Sequence, residues 1–216
     1  MKRFQRLILG TLIGLAAGSA QAEMTINWNI PAGGQINCPA GWIEQDFLFR
    51  GPSGVTHTDS GSSAFYPANG TAYLQALNGQ APMVITNLQG ALFTLLQVDL
   101  AEYSTVYQIP HSITFTGYRY DGAIVSQVFR TDGVIDGTGP AADFETFFFS
   151  ADFYQLQQVL VTPSLFSMDN LLLQVVPEPQ AGLLLLLSGA AGLLKHTGRR
   201  ARQLWAARPR GRRVLA

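Results

Sequence analysis

The stretch S-I-T-F-T-G-Y-R-Y-D-G-A-I-V-S-Q-V-F-R, residues 112–130, predicts a β-hairpin. Two runs rich in β-branched and aromatic residues flank the pair Asp121-Gly122. An Asp-Gly pair favours a two-residue type I′ turn, because both of its positions need a positive φ. With that turn, Tyr118 would face Val125 across the hairpin. The hairpin therefore makes an antiparallel β-fold the first expectation for this chain.

Similar short runs recur throughout the central part of the chain, separated by turns rich in glycine, proline and serine. They are residues 24–30, 42–49, 71–77, 83–86, 91–100, 144–150, 157–161 and 166–175. Segment 91–100 is apolar on both faces, which indicates a central strand covered on both sides. Residues 31–41 and 51–63 are predicted as loops, the second with a short edge strand at Val55. Such spacing, without a long amphipathic helix, predicts a single all-β domain of β-sandwich form over residues 23–175.

The charges are unevenly distributed, although the net charge of the whole sequence is zero. All 14 acidic residues lie between Glu23 and Glu178, where the only basic residues are Arg50, Arg119 and Arg130. Three basic against 14 acidic residues leave this part of the chain with a net charge of −11. Such a body is not expected to bind nucleic acid, which needs a basic surface.

Residues 1–22 have the composition of a secretory signal peptide. A positively charged start precedes a short apolar stretch at residues 7–17. Its basic residues are Lys2, Arg3 and Arg6. Ala20 and Ala22 then form the small-x-small cleavage site. Signal peptidase and the general secretion machinery are therefore expected partners.

The C-terminal part combines a proline motif, an apolar run and a basic cluster, in that order. The motif is V-P-E-P, which consists of Val176, Pro177, Glu178 and Pro179. Its prolines fix φ and lack an N–H group, so the motif is expected to be extended and accessible to a protease or transpeptidase. The mostly apolar run 180–194 is predicted to enter the membrane as a helix, at the short end of the roughly 17–25 residues that span a bilayer. The stop-transfer residues that follow are Lys195, Arg199, Arg200 and Arg202.

This order resembles the PEP-CTERM sorting signal of Gram-negative bacteria. The resemblance implies processing by an exosortase, transient contact with the membrane through residues 180–194, and export across the inner membrane to the cell surface or extracellular matrix. It also implies an association with exopolysaccharide and biofilm. The signal would occupy residues 176–216, although the family usually ends soon after its arginines and this chain continues through residues 201–216. The alternative is a plain C-terminal membrane anchor.

Two further phrases are similar to jelly-roll domains of the galactose-binding, carbohydrate-binding-module type. They are L-F-S-M-D-N-L-L-L at residues 165–173 and F-T-G-Y-R-Y-D-G-A-I-V at residues 115–125. The resemblance implies a jelly-roll-like sandwich and a sugar ligand. The chain is thus expected to have a structural or adhesive role in a surface matrix, with a carbohydrate-binding module as the alternative.

Aromatic residues are the candidates for a sugar-binding platform, because flat rings beside polar groups stack on sugars. The candidates are Trp28, Trp42, Tyr118 and Tyr120, together with Tyr103 and Tyr107. The alternative is that these rings fill the core or the strands, as is common in β-proteins.

The acidic loop containing Asp132, Asp136 and Asp143 is a candidate Ca²⁺ site, since calcium takes several oxygen ligands. Asp169 in the predicted last strand is a second candidate. The alternatives are a solvated turn-rich loop and a solvent-facing carboxylate. No other cofactor is expected.

The sequence contains no G-x-S-x-G or H-E-x-x-H motif, so an enzyme is not expected and a secreted hydrolase is the third hypothesis. His57, close to Asp59 in a region rich in glycine and serine, is expected at the surface. The single cysteine, Cys38, excludes an internal disulfide and leaves a buried, intermolecular or reactive thiol as alternatives.

Overall fold

The computed structural model describes residues 23–29, 34–76, 81–136, 143–163 and 165–176. Within these ranges the chain forms thirteen β-strands and a single-turn 3₁₀ helix at Thr105–Tyr107. The strands are β1 Glu23–Ile26, β2 Gln35–Cys38, β3 Trp42–Glu44, β4 Phe47–Arg50, β5 Val55–Asp59, β6 Ala72–Ala76, β7 Met83–Asn87, β8 Leu92–Glu102, β9 Ser112–Arg119, β10 Ile124–Arg130, β11 Glu145–Phe148, β12 Leu156–Thr162 and β13 Phe166–Val176. The expected all-β class is confirmed.

The strands form two antiparallel sheets that face each other. The first sheet runs β2-β5-β6-β13-β8-β11, and β1 pairs with the second half of β13 beside β6. The second sheet runs β3-β4-β7-β12-β9-β10. A single pair, Leu156 with Phe93, joins the two sheets. This arrangement is the predicted β-sandwich.

Aromatic side chains from both sheets fill much of the core. Phe115 and Phe129 of the second sheet pack edge to face, with ring centroids 5.6 Å apart. Phe149, which follows the first sheet's β11, lies 5.1 Å from each of them. Phe147 stacks on Phe129 at 5.0 Å, and Phe153 lies 4.9 Å from Phe149. Because burial of each such ring stabilises the fold by about 1.5–3 kcal/mol, this cluster is a major link between the sheets.

Strand β8 is central, as predicted, because it pairs with β13 on one side and β11 on the other. In its first half, fully buried Phe93 and Leu95 alternate with half-buried residues. The strand is therefore less completely covered than its apolar sequence suggested.

The predicted hairpin exists, but its predicted register is wrong by one residue. Tyr118 pairs with Ile124 rather than with Val125. The turn has three residues, and Gly122 at φ +84° takes the left-handed position that ends such turns. A shift of one residue reverses the face of every side chain in the strand. Phe129 consequently points into the core.

Segment 42–49 was predicted as one strand and is instead the hairpin β3-β4. Gln45 and Asp46 form its turn with φ values of 48° and 66°. Two successive residues with positive φ are what a type I′ turn requires, but glycine and asparagine are its usual residues. Aspartate without a glycine beside it is only a weak turn signal, so the sequence predicted one continuous strand here.

Both predicted loops contain strands. β2 lies within segment 31–41, and β5 replaces the expected short edge strand at Val55. β5 is an internal strand between β2 and β6, with four consecutive buried residues. Its Thr-His-Thr composition reads as polar, yet all three side chains are buried. His57 stacks on Trp42 of the second sheet, whereas Thr58 lies on the other face of β5 and donates to Gln75.

The described residues contain no helix that is long and apolar enough to cross a membrane. The predicted signal peptide at 1–22 and the segment from Pro177 to the end lie outside the described residues. Val176, the first residue of the predicted sorting motif, is the last residue of β13.

Candidate functional site

Loops cover the outer face of the first sheet. Tyr73 on this face packs against Phe144 with ring centroids 5.2 Å apart. The loop before β6 is tied to the loop before β11 by a hydrogen bond from the Ala68 N–H to Asp143 Oδ2 at 2.7 Å. Burial, the largest effect, and the nearby Tyr66 and Asp143 raise the pKa of the Tyr73 phenol above its usual range. These contacts hold the loop layer against the first sheet.

Three tyrosines form a chain on the loop layer. Tyr103 lies between Tyr66, at a centroid distance of 6.1 Å, and Tyr107, at 6.3 Å, and both contacts are edge to face. Phe65 is 63% exposed and Tyr107 is 44% exposed. We call Phe65, Tyr66, Tyr103 and Tyr107 the aromatic patch. Val106 and Ile109, also exposed, extend its apolar surface.

Backbone and side-chain hydrogen bonds hold the aromatic patch in place. The Thr105 N–H donates to the Phe65 carbonyl at 2.8 Å, so the two segments of the patch are joined directly. Gln75 Nε2 donates to the Tyr103 carbonyl at 2.8 Å, and Gln75 Oε1 accepts from the Thr58 hydroxyl at 2.8 Å. Burial raises the pKa of Tyr103 to about 12, with smaller contributions from Tyr66 and Tyr107. The Tyr103 phenol is therefore neutral at physiological pH.

The two tryptophans proposed for a sugar platform are structural. Trp28 is completely buried, and its ring packs edge to face against Phe49 at 5.2 Å. Trp42 is half-buried, stacks on His57 at 4.4 Å and donates from Nε1 to Glu44 Oε2. The hypothesis that Trp28 offers a sugar-stacking surface is wrong, because no part of its ring reaches solvent.

Tyr118 and Tyr120 belong to the β9-β10 hairpin. Tyr118 is half-buried and pairs with Ile124 and Gln158 on the outer face of the second sheet. Tyr120 is 68% exposed beside the hairpin turn. The structure does not join these two tyrosines to the tryptophans in one platform. Of the sequence candidates, only Tyr103 and Tyr107 contribute to a cluster of aromatic rings at the surface.

His57 is buried, contrary to the expected surface position. It lies on β5, and its Nε2 hydrogen-bonds to the Trp28 carbonyl at 2.8 Å. With Trp42 stacked on its ring, the histidine fills the space between strands.

Cys38 is a half-buried free thiol at the end of β2. Its Sγ lies 3.7 Å from the Ile36 carbonyl. Burial raises the pKa of this thiol, and a hydrogen bond from the His57 backbone lowers it by less. These contacts do not activate the thiol as a nucleophile.

The acidic loop residues take different positions in the fold. Asp132 lies beside Glu102 and Glu145, and one carboxylate oxygen from each residue is within 4.8 Å of the others. We call these three residues the acidic cluster. Burial, the largest effect, raises the pKa of Glu145, as do the charges of Asp132 and Glu102, whereas the hydrogen bond from the Asp132 N–H lowers it. Sequence spacing could not reveal Glu102 and Glu145, because strand pairing alone brings them together.

Asp136 and Asp143 are not part of the acidic cluster. Asp143 is buried, and its Oδ1 accepts from the Asp136 N–H at 2.9 Å. Asp143 Oδ2 also accepts from the Ala68 N–H, so this one carboxylate joins the loop before β6 to the loop before β11. The proposed grouping of Asp132 with Asp136 at one ion is therefore not supported by their contacts.

Asp169 is completely buried in β13 and does not point to solvent. Its carboxylate accepts hydrogen bonds from Asn69 Nδ2, the Thr71 hydroxyl and the Asn170 N–H. Burial raises its pKa to about 7, while these three donors lower it and the charge of Asp99 adds a small increase. These contacts join the loop before β6 to the middle of the first sheet.

An open cleft of about 260 Å³ lies near the start of β6. Its lining residues are Asn29, Asp59, Ser60, Gly70, Thr71 and Ala72. Ser60 Oγ already accepts from the Asn69 and Gly70 N–H groups, and the Thr71 hydroxyl donates to Asp169. A ligand would have to compete with these bonds, so the cleft is a weaker candidate than the aromatic patch.

Comparisons with known proteins yield no family. No protein-family model matches the chain, and no curated protein matches it. One solved structure with a detectable likeness is the Clostridium thermocellum endo-1,4-β-D-xylanase 10B, CBM22-1 and GH10 modules complexed with xylohexaose. It is 10% identical, with a TM-score of 0.36, over 72% of this chain and 28% of that chain. The present chain thus spans little more than a quarter of that structure, and a likeness at this level carries no argument about ligand or activity.

Proposed function

We propose that this protein is an exported component of a bacterial surface or extracellular matrix, with a structural or adhesive role associated with exopolysaccharide. The observation that carries the proposal is the order of three elements in the C-terminal sequence, where V-P-E-P precedes a short apolar run and a basic cluster. An exosortase is its expected processing enzyme.

The boundary of the folded body supports this proposal. β13 is an internal strand that pairs with β1, β6 and β8, and it ends at Val176, where the motif begins. Cleavage beyond Val176 would therefore leave every strand pair among the described residues intact. The acidic character of this part of the chain suits a secreted domain.

Mass spectrometry of the protein recovered from the cell surface tests the proposal. The mature form is expected to begin at Glu23 and to lack the residues that follow the motif. The Glu178→Ala variant is expected to keep its C-terminus and to accumulate in the membrane fraction. A Pro209→Ala variant, with a change in the tail beyond the motif, serves as the control. A surface form that extends through Ala216 would contradict processing.

A second candidate function is glycan binding at the aromatic patch. Phe65 and Tyr107 offer exposed ring surface, and hydrogen bonds fix the patch to the sheet below it. Rings held in place in this way stack on sugars with little loss of conformational entropy. The edge-to-face contacts of the tyrosines favour one or two stacking positions rather than a long flat strip.

A polysaccharide pulldown with two matched variants tests this candidate. Tyr107→Ala is expected to abolish retention on the polysaccharide, while Tyr120→Ala leaves it unchanged. Both tyrosines are exposed, so neither substitution removes a core side chain. Equal retention of the two variants and the unaltered protein would exclude the aromatic patch as the glycan-binding site. Loss of retention in Tyr120→Ala alone would place the site at the β9-β10 hairpin instead.

We further propose that the role is non-catalytic. His57 is engaged with Trp28 and Trp42 inside the fold, so it is not accessible to a substrate. A secreted hydrolase is the alternative, and turnover of a soluble oligosaccharide would establish it.

A further inference from the structure

The acidic cluster consists of residues that are distant in sequence and meet at one end of the sandwich. Glu102 is the last residue of β8, and Glu145 is the first residue of β11. Asp132 lies two residues beyond the end of β10. The pairing of β8 with β11 brings the two glutamates together, and the loop after β10 brings in the aspartate.

The cluster links the two sheets. Glu102 pairs with Phe166, and Glu145 pairs with Leu100; both partners belong to the hydrophobic core. Directly paired residues share a face of their sheet, so both glutamates project from the inner face of the first sheet. Asp132 comes from the second sheet, because it follows β10. Any ligand of all three carboxylates would therefore bridge the open end of the sandwich.

Glu102 provides an independent sign of a missing partner. Its side chain is 0% exposed, and its Oε1 accepts from the Gly133 N–H at 2.6 Å. Its Oε2 is buried and has no hydrogen-bond partner among the described residues. A buried carboxylate oxygen without a donor is rare, because it loses its hydration and gains nothing in return. Its carboxylate is aimed at those of Asp132 and Glu145.

No basic side chain within the described ranges forms a salt bridge with any of the three carboxylates. The nearest basic residue in sequence is Arg130, whose side chain is exposed. The loop instead approaches the acids with its backbone, since the Asp132 N–H donates to Glu145 Oε1 at 2.7 Å. Hydrogen bonds of this kind orient the oxygens but do not balance three negative charges.

We propose that Glu102, Asp132 and Glu145 bind one Ca²⁺ ion. All the ligand atoms are oxygens, which a hard cation prefers, and the cluster contains no histidine or cysteine that would favour zinc. Calcium accepts irregular shells with oxygens at about 2.3–2.6 Å, which suits three carboxylates that come from separate segments. Magnesium needs a tighter octahedron at about 2.0–2.1 Å. Asp132 is exposed, so water can complete the shell.

The ion fixes two loops besides the strand ends. A Cβ on Gly133 would lie 2.6 Å from Pro110 Cδ, so the loop after β10 packs directly on the segment before β9. Gln108 Nε2 donates to the Ile135 carbonyl at 2.8 Å and joins the same two segments. That segment begins immediately after Tyr107 of the aromatic patch. Calcium therefore stabilises the loop layer as well as the sandwich.

Calcium titration of the full chain, purified in mild detergent and stripped with a chelator, tests the proposal. Isothermal titration calorimetry is expected to give a Kd of about 10⁻⁴–10⁻³ M, the range of extracellular calcium modules. The melting temperature should rise with the logarithm of the calcium concentration above that Kd, because the ion binds the folded state. Magnesium at the same concentrations should have a much smaller effect.

Two matched substitutions separate a specific site from general screening of an acidic protein. Asp132→Asn should weaken calcium binding by at least about tenfold, and its exposed side chain makes the substitution tolerable for folding. Asp152→Asn, at an exposed aspartate outside the cluster, should bind as the unaltered protein does. Glu145→Gln is the second cluster variant, with the same expected loss. The proposal is overturned if calcium neither binds nor raises the melting temperature. It is also overturned if magnesium raises the melting temperature as much as calcium does. The same holds if the two cluster variants bind calcium as tightly as Asp152→Asn does.

Discussion

Asp169 makes the stability of this protein depend on pH in a predictable direction. The carboxyl group is buried in β13, and burial raises its pKa from 3.8 to about 7. In the unfolded chain the same group is solvated and ionises at the lower value. Between these two values the folded state holds a proton that the unfolded state has lost.

The sign and the size of the effect follow from this difference. Because the pKa is raised on folding, the contribution of Asp169 is fully present below about pH 3.8 and is lost as the pH rises to about 7. Each unit of pKa difference corresponds to about 1.4 kcal/mol. The free energy of unfolding should therefore lose about 4 kcal/mol through this one group between pH 4 and pH 7.

Urea unfolding of the full chain and of Asp169→Asn across this pH range isolates the effect. The asparagine cannot titrate, so the free energy of unfolding of the unaltered protein minus that of the variant should fall by about 4 kcal/mol as the pH rises. Other carboxylates titrate in both proteins and cancel in the difference. Asp152→Asn, at an exposed position, should give a flat difference. A flat or rising difference for Asp169→Asn would refute the argument.

Three further substitutions test the packing, the polar layer and a turn, each by urea unfolding. Gly117→Ala should destabilise the fold by about 1–3 kcal/mol, because the added Cβ would lie 2.7 Å from the Leu156 side chain in the core; a loss under about 0.5 kcal/mol would mean that the core adapts freely. Gln75→Leu should cost about 1–3 kcal/mol, since the buried Thr58 hydroxyl loses its acceptor, and an unchanged stability would show that water replaces the amide. Asp46→Gly should stabilise the protein by up to about 1 kcal/mol, because glycine adopts the φ of 66° without strain; a loss of stability would contradict this account of the turn.

Much of the fold could be read from local patterns in the sequence. The alternation of apolar and polar residues predicted most of the strands, and Asp121-Gly122 located the hairpin turn. Errors arose where the decisive interaction is not local. Val55–Asp59 reads as a polar loop, yet it is an internal strand between β2 and β6, with one face on the core and Thr58 on the other face bonded to Gln75. The turn at Gln45 and Asp46 carries neither glycine nor asparagine, and Asp46 alone is too weak a signal to divide the apolar run around it.

The candidate sites show the same division. Tyr103 and Tyr107 were recognised as aromatic candidates from the sequence. Only the fold shows that Tyr66 packs beside Tyr103 and that Trp28 is buried. Asp132 was recognised in an acidic loop, whereas its actual neighbours are Glu102 and Glu145. Residues so far apart in sequence become neighbours through strand pairing, which periodicity does not specify.

The sequence by itself determined the β-class, the acidic body and the order of V-P-E-P, apolar run and basic cluster, because composition, alternation and short motifs are properties of neighbouring residues. Only the tertiary structure decided the strand order, the register of the β9-β10 hairpin and the membership of the aromatic patch and the acidic cluster. These depend on which strands pair and which loops fold over them. That outcome is set by the burial of the whole core, to which every strand contributes and which no single segment encodes.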